Sequence, residues 1–250
     1  MIPKIIHYCW FGRNPLPESA LKCIASWRKF FPDYEIVEWN EDNFDVNAIP
    51  YTAQAYAAKK YAFVSDYARL KILYDHGGLY FDTDVEVIKP FDDILAGGAF
   101  MGCELTAAQG CAVNPGLGLG VSAGSGLYNV LLDKYASLSF ILEDGSLNLT
   151  TIVSYTTDLL ALYGLKITDE IQSVAGITIY PKEYFNPLND NTGKLEITPN
   201  THSIHWYSKT WLEVNPWRMK LSRLAHRYLG YDISRYFRKI LRIKGPHVYL

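Results

Sequence analysis

Residues Lys59–Pro90 read KKYAFVSDYARLKILYDHGGLYFDTDVEVIKP, and the fold turns on how they are divided. The first half, traced back to Ala53, is rich in Ala, Leu, Lys and Tyr, with apolar residues recurring every three or four positions. That spacing predicts a helix. Gly77-Gly78 supplies the positive-φ stop at which helices end. From Leu79 the period becomes two, which predicts a strand with Leu79, Phe81, Thr83, Val85 and Val87 on one face. Tyr80, Asp82, Asp84 and Glu86 fall on the other. Asp82 and Asp84 then point the same way, at or just past the strand's end. Two carboxylates that close repel unless solvated or bridged by a cation, and a hard divalent ion completed by a diphosphate would resolve the conflict.

An Asp-x-Asp alone is more often a solvated sheet face. The preceding helix changes that balance. Ser65, Asp66 and Arg69 share one helical face inside an otherwise apolar segment. An ordinary ion pair would explain Asp66 and Arg69 alone, but here a tight turn joins them to two more carboxylates, as expected of a site.

The ordered set Ser65-Asp66, Arg69, Gly77-Gly78, Tyr80 and Asp82-x-Asp84 resembles the DXD sugar-binding glycosyltransferases of family 32. That family includes bacterial capsular-polysaccharide transferases and, more distantly, clostridial glucosylating toxins. The resemblance implies a GT-A fold, a retaining transfer from a nucleotide-diphospho-sugar, and Mn²⁺ or Mg²⁺ at Asp82 and Asp84. Asp66 would accept hydrogen bonds from sugar hydroxyls, and Arg69 would orient Asp66 or contact the sugar or phosphate, with Ser65 and Tyr80 beside the donor.

Working outward, KIIHYCWF (residues 4–11) predicts a first strand ending at Gly12. Ligands collect beyond carboxyl ends of strands in open α/β sheets, and Trp10 falls there. The resemblance places an aromatic against the nucleotide base at Trp10-Phe11-Gly12; core packing is the competing reading. His7 reads as a hydrogen-bonded strand histidine. Residues 18–31 predict an amphipathic helix with Leu21, Ile24, Ala25 and Phe30 inward, and Tyr34–Trp39 a second strand. Strand, helix, strand predicts an α/β domain with a largely parallel, Rossmann-like sheet flanked by helices.

Beyond Pro90 the signals are Phe91–Leu95 as a helical turn, Ala99–Glu104 as a strand, and helices at Leu127–Leu138 and Leu149–Tyr163, the second capped by Asn148. Ile177–Tyr180 reads as a strand. GCAVNPGLGLGVSAGSG (110–126) fits no Walker or dinucleotide pattern. Its glycines suit a mobile loop or a close backbone approach to a ligand. By the resemblance, Asn114 is the candidate beside the donor sugar.

THSIHWYSKTW (201–211) carries the second cluster. His205 is able to complete a Mn²⁺ shell begun by carboxylates, although three nearby aromatics favour burial. The resemblance extends to a His followed six residues later by Trp, which implies that His205 approaches the metal or diphosphate and that Thr210 and Trp211 donate to them. His202 is the weaker candidate.

Composition sets limits. Two hundred and fifty residues with 49% hydrophobic and 20% charged content fit one globular domain. Cys9, Cys23, Cys103 and Cys111 show no metal or disulfide spacing, which predicts reduced thiols in a cytoplasmic protein. No secretory signal and no transmembrane run is apparent. From Pro216, nine Lys/Arg face only Asp232, so the tail is near +8 and residues 1–215 near −10. The tail's apolar residues recur at helical spacing, which predicts basic amphipathic helices over 216–250. They would lie on an anionic membrane, at the inner face of the cytoplasmic membrane, or pack on the acidic body. No nucleic-acid motif accompanies the charge.

The reading is a 1–215 catalytic domain moving sugar from a UDP-sugar to a saccharide or lipid-linked acceptor. A nucleotide-sugar hydrolase, a toxin-like protein glycosyltransferase and a non-catalytic sugar binder remain open alternatives. Intact Asp82, Asp84 and His205 argue against the last.

Overall fold

The computed structural model describes residues 1–208, and the chain divides into two units: Met1–Pro187 with Ile197–Trp206, and Leu188–Glu196 with Tyr207–Leu250. Thr210, Trp211, the basic 216–250 stretch and its boundary at residue 215 lie outside the described residues.

In the first unit the elements run β1 (Ile5–Cys9), α1 (Glu18–Phe30), β2 (Glu35–Trp39), α2 (Pro50–Ala57), α3 (Tyr61–His76), β3 (Gly78–Tyr80), β4 (Val85–Val87), α4 (Asp92–Ala96), β5 (Phe100–Cys103), β6 (Val113–Asn114), β7 (Leu119–Val121), α5 (Gly126–Ala136), α6 (Ile152–Leu162), β8 (Gln172–Val174), β9 (Ile177–Tyr180) and α7 (Lys182–Phe185). In the second unit, β10 (Leu188–Asn189) and β11 (Lys194–Leu195) form a hairpin in which Asn189 Oδ1 accepts the N–H groups of Asn191 and Thr192. The first unit resumes with β12 (Ser203–His205).

The main sheet has the order β2-β1-β3-β7-β5-β9-β8, with β6 on β5. It is mixed, which corrects the largely parallel sheet expected. β1 pairs in parallel with β2 and β3, and β5 with β9, but β7 runs antiparallel to both β3 and β5. Because β7 is reversed, the carboxyl ends of β1, β3 and β5 and the amino end of β7 share one edge. Apolar cores lie on both sheet faces. Ile6, Tyr8, Leu79, Phe81 and Phe100 pack with α1 and α4, whereas Cys9, Tyr80, Met101 and Leu119 pack with α2, α3, α5 and α6.

The long helix expected from Ala53 is two. α2 ends in a Schellman arrangement: Lys59 N–H bonds Tyr56 O, Lys60 N–H bonds Ala55 O, and Lys59 itself has φ +57°. A lysine at the position usually given to glycine hides the break. Gly77 (φ +65°) and Gly78 (φ +102°) do stop α3 as expected, and a Cβ on either would meet backbone atoms at 2.7 Å. α1 buries Ala20, Cys23, Ile24 and Trp27, while Leu21 is half exposed and Ala25 exposed. The inner face is rotated from the expected one because the Trp27 indole N–H reaches in to Val85 O at 2.8 Å.

The Gly-rich stretch is also reassigned. It holds β6 and β7, the latter fully buried at the middle of the sheet rather than in a mobile loop. Its close approaches are to the chain's own side chains: a Cβ at Gly120 would collide with Phe100 and Leu79. Thr151, not Asn148, stands at the N-cap of α6. No described helix is long and apolar enough to cross a membrane.

Candidate functional site

The strand predicted through Leu79–Val87 is interrupted where the acids lie. β3 stops at Tyr80, Asp82–Val85 turn with Val85 N–H on Asp82 O at 3.0 Å, and β4 leaves to pair antiparallel with β12. The pairing sets His205 opposite Val85 and brings its Nε2 to 3.1 Å from Asp84 Oδ1. One ligand atom from each of Asp82, Asp84 and His205 lies within 4.8 Å of the others. Two carboxylates and an imidazole are a donor set of hard and borderline character, which fits Mn²⁺ or Mg²⁺. Burial works against charge on His205, but the adjoining Asp84, with Asp82 and Glu104 beyond it, outweighs burial and raises its pKa. The same field that draws a proton onto this imidazole would draw a cation.

Behind the turn, Arg69 is 4% exposed and Asp66 7%. Arg69 Nη2 bonds Asp66 Oδ1 at 3.0 Å, its Nη1 lies 3.3 Å from Asp82 Oδ1, and its guanidinium sits 4.8 Å over the Tyr80 ring. Tyr80 Oη donates to Asp82 Oδ1 at 3.2 Å. Burial would favour a neutral Arg69, but Asp82, Tyr80 and Asp66 hold it charged. Burial likewise pushes Asp66 up to about 6, against Arg69, which lowers it. Asp66 also accepts the Ile152 N–H at the start of α6, at 3.3 Å. Ser65 bonds back to Tyr61 O at 3.2 Å within its helix.

Asn114 lies beside this cluster. Its Oδ1 accepts Gly116 N–H at 2.7 Å, Gly116 O accepts Asp82 N–H at 3.1 Å, and Asn114 Nδ2 donates to Glu104 Oε2 at 2.8 Å. Gly116 and Glu104 were not singled out from the sequence. Gly116 has a legible signal in the run Asn114-Pro115-Gly116, but Glu104 has none, since only the β5–β6 pairing brings it near Asn114.

Trp10 lies past the end of β1, half-buried, with its indole N–H on Asn14 O at 2.6 Å. It lines an open cavity of about 420 Å³ with Arg13, Asn14, Asn40 and Glu41. Phe11 is 5% exposed and packs edge-on against Phe44, so its ring belongs to the core. His7 is bonded on both ring nitrogens, as expected of a strand histidine. His202 sits between Asn200 O (2.7 Å) and Asp93 Oδ1 (2.9 Å), which occupies both of its nitrogens outside the Asp82–Asp84–His205 cluster.

With this geometry in view, residues 17–101 match the family model described as the glycosyltransferase sugar-binding region containing the DXD motif. These residues, about a third of the chain, are thus similar to the DXD-containing sugar-binding region of glycosyltransferases. The matched span carries Asp66, Arg69, Asp82 and Asp84; Asn114 and His205 join them through the fold, whereas the cavity that Trp10 lines includes none of the four. Inositol phosphoceramide mannosyltransferase 3 of Schizosaccharomyces pombe is 35% identical over 98 residues, 38% of this chain and 27% of that protein. Subversion of eukaryotic traffic protein A of Legionella pneumophila is 26% identical over 120 residues, 37% of this chain and 18% of that protein. The matched segments thus span under half the length of these curated relatives. Among solved structures, PaToxG Glycosyltransferase shares the fold with a TM-score of 0.51 at 22% identity, covering 64% of this chain and 69% of that one.

Proposed function

We propose that this protein is a metal-dependent glycosyltransferase that moves a sugar from a nucleotide-diphospho-sugar, of the UDP type, to a hydroxyl of a saccharide or lipid-linked acceptor. The observation that carries the reading is the convergence of Asp82, Asp84 and His205 within 4.8 Å, beside the buried Asp66–Arg69 pair. Mn²⁺ or Mg²⁺ held by these three residues would neutralise the charge that develops on the leaving diphosphate. Trp10 would stack on the base at the carboxyl end of β1. Asp66 would accept hydrogen bonds from sugar hydroxyls, kept in place by Arg69 and the Ile152 N–H, with Ser65 and Asn114 alongside. Arg69 also braces Asp82, so the sugar-facing and diphosphate-facing carboxylates share one guanidinium. Thr210 and Trp211 would donate to the diphosphate.

Asp66 is engaged by Arg69, Glu104 by the Asn114 amide, and Asp82 and Asp84 would hold the cation, so among the described residues no carboxylate of this cluster stands out as a covalent nucleophile. A retaining front-face transfer accounts for this. The acceptor oxygen bonds the anomeric carbon on the face from which the diphosphate oxygen departs, and that oxygen takes the acceptor proton. The relatives named for mannosyl transfer to inositol phosphoceramide support a lipid-borne acceptor, and the basic residues of 216–250 would bring the enzyme to an anionic surface bearing one.

The test is release of free UDP or GDP from a panel of nucleotide sugars, with Mn²⁺ and with a chelator. One donor is expected to turn over slowly, in a metal-dependent way. Losing a group that merely supports a metal ligand costs about 10–100-fold, so Asp84→Ala, which removes a ligand, should cost at least about 100-fold. Absence of turnover together with absence of metal-dependent donor binding by calorimetry would overturn the reading.

A further inference from the structure

The reaction above uses none of the four thiols, and the fold sets two of them, Cys103 and Cys111, against each other. Cys103 is the last residue of β5 and 3% exposed; Cys111 is half-buried on the approach to β6. Their sulfurs are 3.2 Å apart. The hairpin mouth around them is closed by Glu104 N–H on Ala112 O at 2.8 Å. The intervening loop is pinned by Asp169, whose Oδ1 accepts Ala107 N–H at 2.8 Å. Gly110, next to Cys111, has φ +90° and open space around its Cα, so the backbone there has room to turn. A disulfide needs the sulfurs at about 2.05 Å, an approach of little more than an ångström. Cys9 and Cys23 are buried elsewhere.

We propose that Cys103 and Cys111 form a reversible dithiol–disulfide switch, driven by exchange with a small-molecule disulfide and coupled to the turn behind Asp82. Cys111, the accessible sulfur, attacks one sulfur of the small disulfide and expels the other half as a thiol, which carries away the Cys111 proton. Cys103 then attacks Cys111 Sγ and expels the second small thiol with its own proton. Two protein thiols are oxidised, and one small disulfide is reduced to two thiols. The hydrogen bond between the sulfurs supports this division of labour, since it lowers the pKa of Cys111 and raises that of Cys103.

The coupling is a chain of bonds. Residues 104 and 112 are paired across the hairpin. Glu104 holds the Asn114 amide, Asn114 holds Gly116 N–H, and Gly116 O holds Asp82 N–H. Cross-linking 103 to 111 therefore tightens the loop whose two ends feed the Asp82 turn. This inference rests on the thiols and not on the reaction proposed above.

The test places the full chain in reduced/oxidised glutathione mixtures, quenches with an alkylating agent, and reads intact mass, peptide map and amide exchange. Expected are loss of two hydrogens, a linked Cys103–Cys111 peptide, and recovery of both thiols with dithiothreitol. Cys103→Ser should instead trap glutathione on Cys111. Exchange over 104–112 should slow about tenfold on oxidation, with a change at 114–117 as well. Two free thiols in the most oxidising mixture, or pairing through Cys9 or Cys23, would sink the switch. Unchanged exchange at 114–117 would sink the coupling.

Discussion

Gly116 stands where any side chain would collide with the Asp82 carboxylate, and a Cβ there would also come within 3.0 Å of Asn114 Oδ1. Its carbonyl meanwhile holds Asp82 N–H. The residue thus fixes both backbone and side chain of a candidate metal ligand without being one. Gly116→Ala must displace the Asp82 carboxylate, the end of the contact freest to move, while the surrounding core stays packed. The expected outcome is a Mn²⁺ affinity lowered about tenfold or more, the usual cost of disturbing support behind a ligand, with little change in melting temperature. Mn²⁺ titration by calorimetry checks this, and an unchanged affinity would mean that Asp82 does not bind the ion. Arg69 belongs at the same scale. Arg69→Lys keeps the charge but loses the fork that reaches Asp66 and Asp82 together. Sugar-nucleotide turnover should fall about tenfold or more, as for other groups that support ligands. Unaltered turnover would leave Arg69 a purely structural partner.

Among the elements, those that carry an ordinary local signal were legible. The first strand, its following helix, the Gly-Gly stop and the Ile177–Tyr180 strand are found where apolar period and turn residues put them. What escaped was set by tertiary contacts. α3 buries residues on most of its circumference, including Asp66 and Arg69, so no apolar stripe separates it from α2. The break falls at Lys59, where glycine would have announced it. The Asp-x-Asp was legible as a candidate cluster but not as a turn, because Val85 and Val87 continue the alternation while pairing with a different strand, β12. β7 was hidden because Gly120 within it makes room for Phe100 and Leu79, and Gly118 just before it for Phe81, a packing need that reads as loop composition. Lys59 offers the test at this scale. Left-handed backbone costs a side-chain-bearing residue about 1–2 kcal/mol, and glycine's extra unfolded-state entropy offsets part of that. Lys59→Gly should therefore raise stability by about 0.5 kcal/mol, read as a higher urea midpoint at constant slope. A lower midpoint would show that the lysine side chain contributes more than its backbone costs.

For the whole molecule, the pH dependence of stability is set in part by two buried groups that act in opposite directions. His7 ties three elements together. Its Nε2–H donates to Gly77 O at 2.9 Å, and its Nδ1 accepts the Trp39 indole N–H at 3.0 Å. Protonating Nδ1 breaks the second bond, and His76, its ring 6.1 Å away, adds repulsion when charged. Burial, opposed by the Gly77 bond and aided by His76, lowers the His7 pKa from 6.5 to about 4. Between those values the unfolded chain binds a proton that the folded one refuses. The stabilisation is therefore complete above about pH 6.5 and is lost as pH falls toward 4, by about 3 kcal/mol in all. Asp66 has the opposite sign. Its pKa is raised from 3.8 to about 6, so the folded state takes up a proton first and gains stability as pH falls through the same window. The raw profile will look flatter than either group alone would make it, and only a comparison isolates His7. His7→Gln keeps a donor for Gly77 O and an acceptor for Trp39 but cannot titrate. Urea unfolding of both proteins at intervals from pH 7.5 to 4 should show the stability gap closing in favour of the variant as pH drops. A gap that stays constant would mean that His7 is protonated in the folded state, and that the Trp39 bond does not select the neutral ring.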